Sequence, residues 1–106
     1  SYMITDGPHG LRKAAQSTSM DIEHSMPATC FPPAAGMASS WNPGLVREVG
    51  VAIGEECVQE KVAVLLGPGV NIKRNPLGGR SFEFWSEDPY FAGHEAIGIA
   101  PEWARR

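Results

Sequence analysis

The sequence predicts an α/β fold in which parallel strands are joined by helices. Three observations support this prediction: a short β-prone stretch at residues 2–5, a helix signal beginning at Asn42, and an unbroken apolar run at residues 62–66 that follows this helix. A strand, a helix and a buried second strand in that order are typical of a right-handed βαβ unit. A second helix signal at Asp88 repeats the pattern.

The first third of the chain is predicted to contain little regular structure. Residues 2–5 predict a buried strand that stops at Asp6-Gly7-Pro8, a turn signature. Residues 13–28 are polar, lack periodicity and predict a surface loop. Residues 28–31 predict a second short strand, and residues 34–40 predict one or two helical turns.

The strongest helix signal lies in the middle of the chain. Asn42 is a good N-cap, and Pro43 suits the first helical position, where its missing N–H costs nothing. Apolar residues recur every four positions and predict the buried stripe, which comprises Leu45, Val49, Ile53 and Cys57, widened by Val46 and Ala52. The glycines at 50 and 54 predict a close approach by another element, such as a sheet.

The second half is predicted to contain a strand, a long loop and a helix. Residues 62–66 do not alternate in polarity, so we expect this strand to be buried on both faces. Six of the fourteen residues at 67–80 are Gly or Pro, which predicts a loop. Asp88 is the expected N-cap of the last helix, and Pro101 is expected to end or kink it.

Composition and charge exclude several classes of protein. The 106 residues include 12 Gly and 9 Pro and carry a net charge of −3, so we expect one small domain with a thin core. The sequence has no basic stripe of the kind that binds nucleic acid. It also has no apolar run long enough to cross a membrane. Cys30 and Cys57 are predicted to be buried, unpaired hydrophobes. The three histidines have no ligand spacing, so no metal is predicted. The sequence has neither a dinucleotide-binding loop nor a phosphate loop, so no cofactor is predicted.

Candidate binding residues follow the predicted strands, where parallel α/β folds place their sites. The residues are Asp6, Arg12 and Arg80, in the connections at 6–12 and 67–89. The second connection mixes aromatic rings with carboxylates and guanidinium groups, which suits a polyhydroxylated ligand. Structural alternatives remain open: Asp6 as a turn cap, Arg12 as an ordinary exposed arginine, and Arg80 paired with Glu83 or Glu87. The aromatic residues Phe82, Phe84 and Trp85 could likewise form only the loop's own small core.

Five motifs, in this order and spacing, resemble the N-terminal barrel of family 3 glycoside hydrolases. They are T-D-G-P-H-G-L-R from Thr5, A-T-C-F-P from Ala28, S-W-N-P from Ser40, L-G-P-G-V-N-I-K-R-N-P-L-G-G-R from Leu66, and F-E-F-W-S-E-D-P from Phe82. The resemblance implies a partial (β/α)8 TIM barrel, because a closed barrel needs about 250 residues. Residues 1–106 would be a domain truncated at both ends and hold roughly the first three β/α units.

The resemblance also implies a function, that of a retaining, exo-acting β-glucosidase. Asp6, Arg12 and Arg80 match family residues that bind the terminal sugar, and Trp85 would lie at the pocket rim. The family's catalytic Asp and Glu lie downstream, so no residue of this chain is expected to be catalytic. The implied partners are a β-glucoside or short gluco-oligosaccharide and the rest of the barrel and C-terminal domain. The alternative is a non-catalytic sugar-binding or scaffold remnant.

Overall fold

Two short parallel strands and three α-helices make up the regular structure. The computed structural model describes residues 2–7, 9–14 and 25–104. Along this part of the chain the elements are β1 (Ile4–Asp6), α1 (Ala34–Ala38), α2 (Pro43–Gln59), β2 (Val64–Leu66), a 3-10 turn (Ser81–Glu83) and α3 (Pro89–Ala104). The strands pair in parallel, with Ile4 opposite Val64 and Asp6 opposite Leu66. The predicted α/β class is confirmed, and the described residues contain two β/α units where about three were expected.

Helix α2 begins where the sequence predicts. The Asn42 side chain accepts the backbone N–H of Leu45 at 3.1 Å, and Pro43 occupies the first turn. The buried stripe comprises Val46, Val49, Gly50, Ile53, Gly54 and Cys57. Leu45 is 43% exposed, so its predicted burial is wrong. The reason is geometric: four residues turn an α-helix by one full turn plus about 40°, so a strict four-residue repeat drifts off the buried face.

Helices α2 and α3 pack closely at Gly50. A Cβ atom at this position would lie 3.1 Å from both the Cα and the carbonyl oxygen of Ile99. The predicted close approach therefore exists at Gly50, but the neighbour is a helix and not a sheet. Asp88 caps α3 as predicted, accepting the N–H groups of Tyr90 and Phe91 at 3.1 and 3.3 Å. The helix continues to Ala104, so Pro101 does not end it.

One face of the two-stranded sheet is open in the described part of the chain. Leu65 packs against the core, whereas Ile4, Val64 and Leu66 are 56%, 44% and 55% exposed. Successive side chains of a strand point to opposite faces, and none of the described helices covers the second face. The predicted burial of residues 2–5, and of both faces of residues 62–66, is therefore wrong for this chain.

The segment before α1 differs from the prediction. Residues 28–31 form no strand, and their extended backbone lies beside the connection after β1, where the N–H of Phe31 donates to the carbonyl of His9 at 2.7 Å. Cys57 is buried as predicted, but Cys30 is exposed, because its segment borders a cleft. Of the loop predicted at 13–28, residues 15–24 lie outside the described part. Among the described helices, none has the length and apolarity needed to cross a membrane.

Candidate functional site

A cavity of about 830 Å³ lies where the two strands end. Asp6 and Leu66, the last residues of β1 and β2, both line it. Three segments complete the lining: residues 7–12 after β1, residues 25–30, and parts of the long connection after β2. The cavity thus occupies the carboxyl edge of the sheet, where parallel α/β folds place binding sites.

The first wall is a tight turn between Asp6 and Arg12. The N–H of Arg12 donates to the carbonyl of Asp6 at 3.0 Å, and the Thr5 hydroxyl donates to the carbonyl of Arg12. A Cβ at Gly7 would lie 2.5 Å from the Gly10 carbonyl oxygen, so only glycine fits there. The turn brings the two ends of the motif into one antiparallel bridge, and both Asp6 and Arg12 are exposed.

The second wall, residues 25–30, is held against the first. Gly10 has a φ of +135°, and a Cβ there would lie 2.1 Å from the Thr29 carbonyl oxygen. Glycine is therefore required both by the backbone conformation and by the close approach. The hydrogen bond from Phe31 to His9 fixes the same two segments.

The third wall is the connection between β2 and α3. Asn75 organises its middle: the side chain accepts the N–H of Leu77 at 2.9 Å, and the carbonyl accepts the N–H of Gly78 at 2.9 Å. The 3-10 turn that follows places Arg80 and Glu83 one turn apart. A Cβ at Gly69 would lie 3.0 Å from the Glu83 carbonyl oxygen, so the start and end of this wall are in close contact.

Arg80 and Glu83 form an ion pair through Nε and Oε1 at the cavity. The hydrogen bond from Arg80 lowers the pKa of Glu83, and burial of the carboxylate opposes this effect more weakly. The pKa of Arg80 is raised, chiefly by its hydrogen bond to Glu83 and then by the charge of Glu83, with a smaller contribution from Asp6. The expected alternative, pairing of Arg80 with Glu83, is therefore confirmed.

The three residues singled out from the sequence line this one cavity. Asp6 and Arg12 come from the first wall and Arg80 from the third. The charge of Asp6 contributes to the raised pKa of Arg80. One carboxylate acceptor and two guanidinium donors thus border the same space. Their roles in ligand binding stay predictions.

Sequence reasoning missed some lining residues and misplaced one. His9 and Thr29 belong to the wall, and both lie inside quoted motifs without having been assigned a role. Trp85, expected at the pocket rim, is 2% exposed and belongs to the main core with residues of α1 and α2. Phe82 is 56% exposed in the cavity wall, with its ring centroid 6.0 Å from that of His9.

The arrangement suits recognition of hydroxyl groups better than proton transfer. Glu83 is bound by Arg80, and its lowered pKa keeps the carboxylate ionised, so it is a poor general acid. No group of His, Cys, Asp or Glu side chains in the described ranges could hold a metal ion. Exposed carboxylate and guanidinium groups beside aromatic faces are the usual partners of a sugar ring.

The profile described as "Glycosyl hydrolase family 3 N terminal domain" matches residues 16–99 of the chain. The chain belongs to glycosyl hydrolase family 3. This confirms the resemblance inferred from the five motifs, and the second and third walls of the cavity lie within the matched range.

Family 3 relatives with two different names are similar to this chain. An exo-α-(1→6)-L-arabinopyranosidase of Bifidobacterium longum is 74% identical over 101 residues, which is 93% of this chain and 13% of that protein. The thermostable β-glucosidase B of Acetivibrio thermocellus is 60% identical over 97 residues, or 91% of this chain and 13% of that protein. The chain therefore spans about one eighth of the length of these curated relatives.

Solved structures of family 3 β-glucosidases share the fold. The crystal structure of a Bifidobacterium adolescentis β-glucosidase has a TM-score of 0.85 at 67% identity, covering 98% of this chain and 14% of that one. β-Glucosidase 3B from Thermotoga neapolitana, in complex with α-D-glucose, has a TM-score of 0.84 at 41% identity, with the same coverage. The chain therefore has the fold of the matching segment in each of these structures, which is about one seventh of their length.

Proposed function

We propose that this chain forms part of the sugar subsite of a retaining, exo-acting family 3 glycosidase that removes terminal β-D-glucosyl residues. Asp6 accepts hydrogen bonds from ring hydroxyls, and Arg12 and Arg80 donate to them. The chain is a partial (β/α)8 barrel, and the remaining strands and the C-terminal domain complete the pocket. The substrate is a β-glucoside or a short gluco-oligosaccharide.

The observation that carries this proposal is the convergence of Asp6, Arg12 and Arg80 on one cavity at the carboxyl edge of the sheet. They come from sequence positions up to 74 residues apart, and the parallel pairing of β1 and β2 brings their connections to the same edge. Bound glucose in the similar Thermotoga structure supports a sugar as the ligand.

The reacting groups lie outside this chain in the proposal. Retaining hydrolysis requires two carboxyl groups about 5 Å apart, a nucleophile and an acid/base. Glu83 is bound to Arg80, and Glu87 is exposed outside the cavity lining. The chain therefore contributes binding energy and orientation, and other segments contribute the chemistry.

A second candidate substrate is suggested by the name of the Bifidobacterium longum relative. The Bifidobacterium longum relative, at 74% identity, carries the name of an arabinopyranosidase. An L-arabinopyranose ring lacks the hydroxymethyl group of glucose but offers hydroxyls to the same carboxylate and guanidinium groups. An α-L-arabinopyranoside is thus the second candidate substrate of the same site.

The proposal is tested by grafting the matching stretch of this chain into the Acetivibrio β-glucosidase. We expect the graft to hydrolyse an aryl β-D-glucoside, and Asp6→Ala to lower its kcat/KM by about a hundredfold, the effect of losing charged hydrogen bonds to the substrate. Glu87→Ala, which removes an exposed carboxylate outside the cavity, is the matched control. Full activity in the Asp6→Ala graft would contradict the proposed subsite.

The same graft separates the two substrates. We compare kcat/KM for aryl β-D-glucopyranoside and aryl α-L-arabinopyranoside in the graft and in the unaltered Acetivibrio enzyme. An unchanged ratio supports the glucoside assignment for these residues. A shift towards the arabinoside supports the second candidate.

A further inference from the structure

Two carboxylates at the C-terminal end of α2, one on the helix and one on the residue that follows it, hold the connection after β1. Oε1 of Glu56 accepts both the backbone N–H of Thr29, at 3.2 Å, and its hydroxyl, at 2.6 Å. One turn later, Glu60 binds the ammonium group of Lys13 through its Oε2 at 3.0 Å and its carbonyl at 2.8 Å. Glu56 in the last turn of α2 and Glu60 at its C-cap therefore fix both described ends of this connection.

The backbone of Thr29 packs directly against Gly10 in the first wall of the cavity. Its carbonyl oxygen fills the space where a side chain at Gly10 would begin. Two residues later, Phe31 donates to the carbonyl of His9, so the contact is doubled. Because this approach leaves no room for a side chain and the Phe31 hydrogen bond ties the same two segments, we expect a displacement of Thr29 to displace the turn between Asp6 and Arg12.

Glu56 is suited to setting a position rather than to adding stability. It does not line the cavity, and its Oε2 is shielded from solvent without a hydrogen-bond partner. A buried acceptor without a partner lowers stability. Its other oxygen, in contrast, makes a short charge-assisted bond to the Thr29 hydroxyl, the kind that fixes geometry most strongly.

We propose that Glu56 is a positioning residue: by binding Thr29 it holds the turn between Asp6 and Arg12 in the geometry that sugar binding requires. The inference rests on the proposed function of that turn. Glu56 acts through Thr29 and does not touch the substrate. Loss of Glu56 consequently weakens substrate binding and leaves the chemical step nearly unchanged.

The test uses the full-length graft described above. We expect Glu56→Ala, which removes both hydrogen bonds to Thr29, to raise KM for the aryl β-glucoside about tenfold, with kcat changed less than about twofold. Glu56→Gln keeps a carbonyl acceptor and restores KM to within about twofold of the parent graft. Glu48→Ala, which removes an exposed carboxylate of the same helix, is the control.

A second variant keeps the test independent of folding defects. Thr29→Val removes only the hydroxyl donor, and we expect it to raise KM as well. If the two residues act together, the double variant Glu56→Ala/Thr29→Val raises KM no further than Glu56→Ala alone.

The outcomes distinguish this inference from the proposed function. Unchanged KM in both Glu56→Ala and Thr29→Val overturns the positioning role, and so does an equal loss in the Ala and Gln variants that follows their loss of thermal stability. Failure of the proposed function has a different signature, namely full activity of the Asp6→Ala graft.

Discussion

Arg80 connects two sides of the cavity through charge. Its guanidinium group binds Glu83 beside it and also interacts with Asp6 at the end of β1. The lowered pKa of Glu83 keeps its carboxylate ionised beside Arg80. In the proposed subsite, a sugar hydroxyl would meet the Asp6 acceptor and the Arg80 donor in the same cavity.

Glu95 provides a prediction at the level of a single residue. It is 5% exposed in α3, and its Oε2 has no hydrogen-bond partner. Burial raises the pKa of this carboxyl, and the neighbouring His94 opposes the effect more weakly. Between the ordinary pKa near 4.5 and the raised value, the folded chain binds the proton more tightly than the unfolded chain. The free energy of unfolding therefore falls as the pH rises through that interval and is level above it.

We expect Glu95→Gln to remove this fall. At neutral pH the variant should be more stable by about 1–2 kcal/mol, because a neutral amide is less costly to bury than a carboxylate. Urea unfolding followed by circular dichroism from pH 4 to pH 8 measures the difference. Glu87→Gln, at an exposed position, should reproduce the parent curve, and a Glu95→Gln curve parallel to the parent would contradict the assignment.

The lining residues Asp6, Arg12 and Arg80 could be identified from sequence because each stands in a motif with fixed spacing. Thr29 and His9 could not, since their importance comes from contacts between segments that are about 20 residues apart in the chain. For the same reason, Trp85 is buried although it was expected at the pocket rim, and Cys30 is exposed although it was expected to be buried. Polarity alone does not tell which side of a loop faces the core.

At the scale of elements, local signals located both long helices. Asn42 and Asp88 each cap a helix through the side-chain oxygens that the sequence suggested. The packing partners of the helices were harder to predict. Gly50 indicated that another element packs closely on α2, but only the structure shows that this element is the backbone of α3 at Ile99. A glycine in a helix indicates that another element packs closely, but it does not indicate whether that element is a helix or a strand.

Two helical glycines give a matched prediction. At Gly50, Ala would place a methyl group 3.1 Å from the Ile99 backbone, whereas at Gly93 there is nothing within 4 Å. Ala gains about 1 kcal/mol of helix propensity over Gly, and overpacking costs about 1–3 kcal/mol. We expect Gly50→Ala to destabilise the chain by about 1 kcal/mol and Gly93→Ala to stabilise it by up to about 1 kcal/mol. Chemical unfolding of both variants decides the matter, and equal shifts would contradict the close packing.

For the molecule as a whole, the open face of the sheet explains why strand burial was mispredicted. Unbroken apolar strands are typical of sheets covered on both sides, and only the Leu65 side is covered by the described helices. The apolar residues on the other side, Ile4, Val64 and Leu66, are suited to the interior layers of a barrel. This apolar pattern supports the proposal that the two strands belong to a larger barrel.

The proposed division of labour predicts that the 106-residue chain alone has no glycosidase activity. Hydrolysis of an aryl β-glucoside should proceed at the uncatalysed rate, because the proposal assigns both reacting carboxyl groups of a retaining enzyme to other segments. The graft, assayed in parallel, is the positive control. Turnover by the isolated chain that disappears in Asp6→Ala would contradict the assignment of catalysis to other segments.

The contact between Gly10 and Thr29 has a consequence for how the domain can be recombined. Both walls that meet there belong to the stretch before α2, whereas the third wall follows β2. A gene fusion between homologues joined at residues 61–63 keeps the first two walls from one parent and takes the third from the other. Such crossovers would exchange Arg80 and its surroundings as a unit without disturbing the close approach of Gly10 to Thr29.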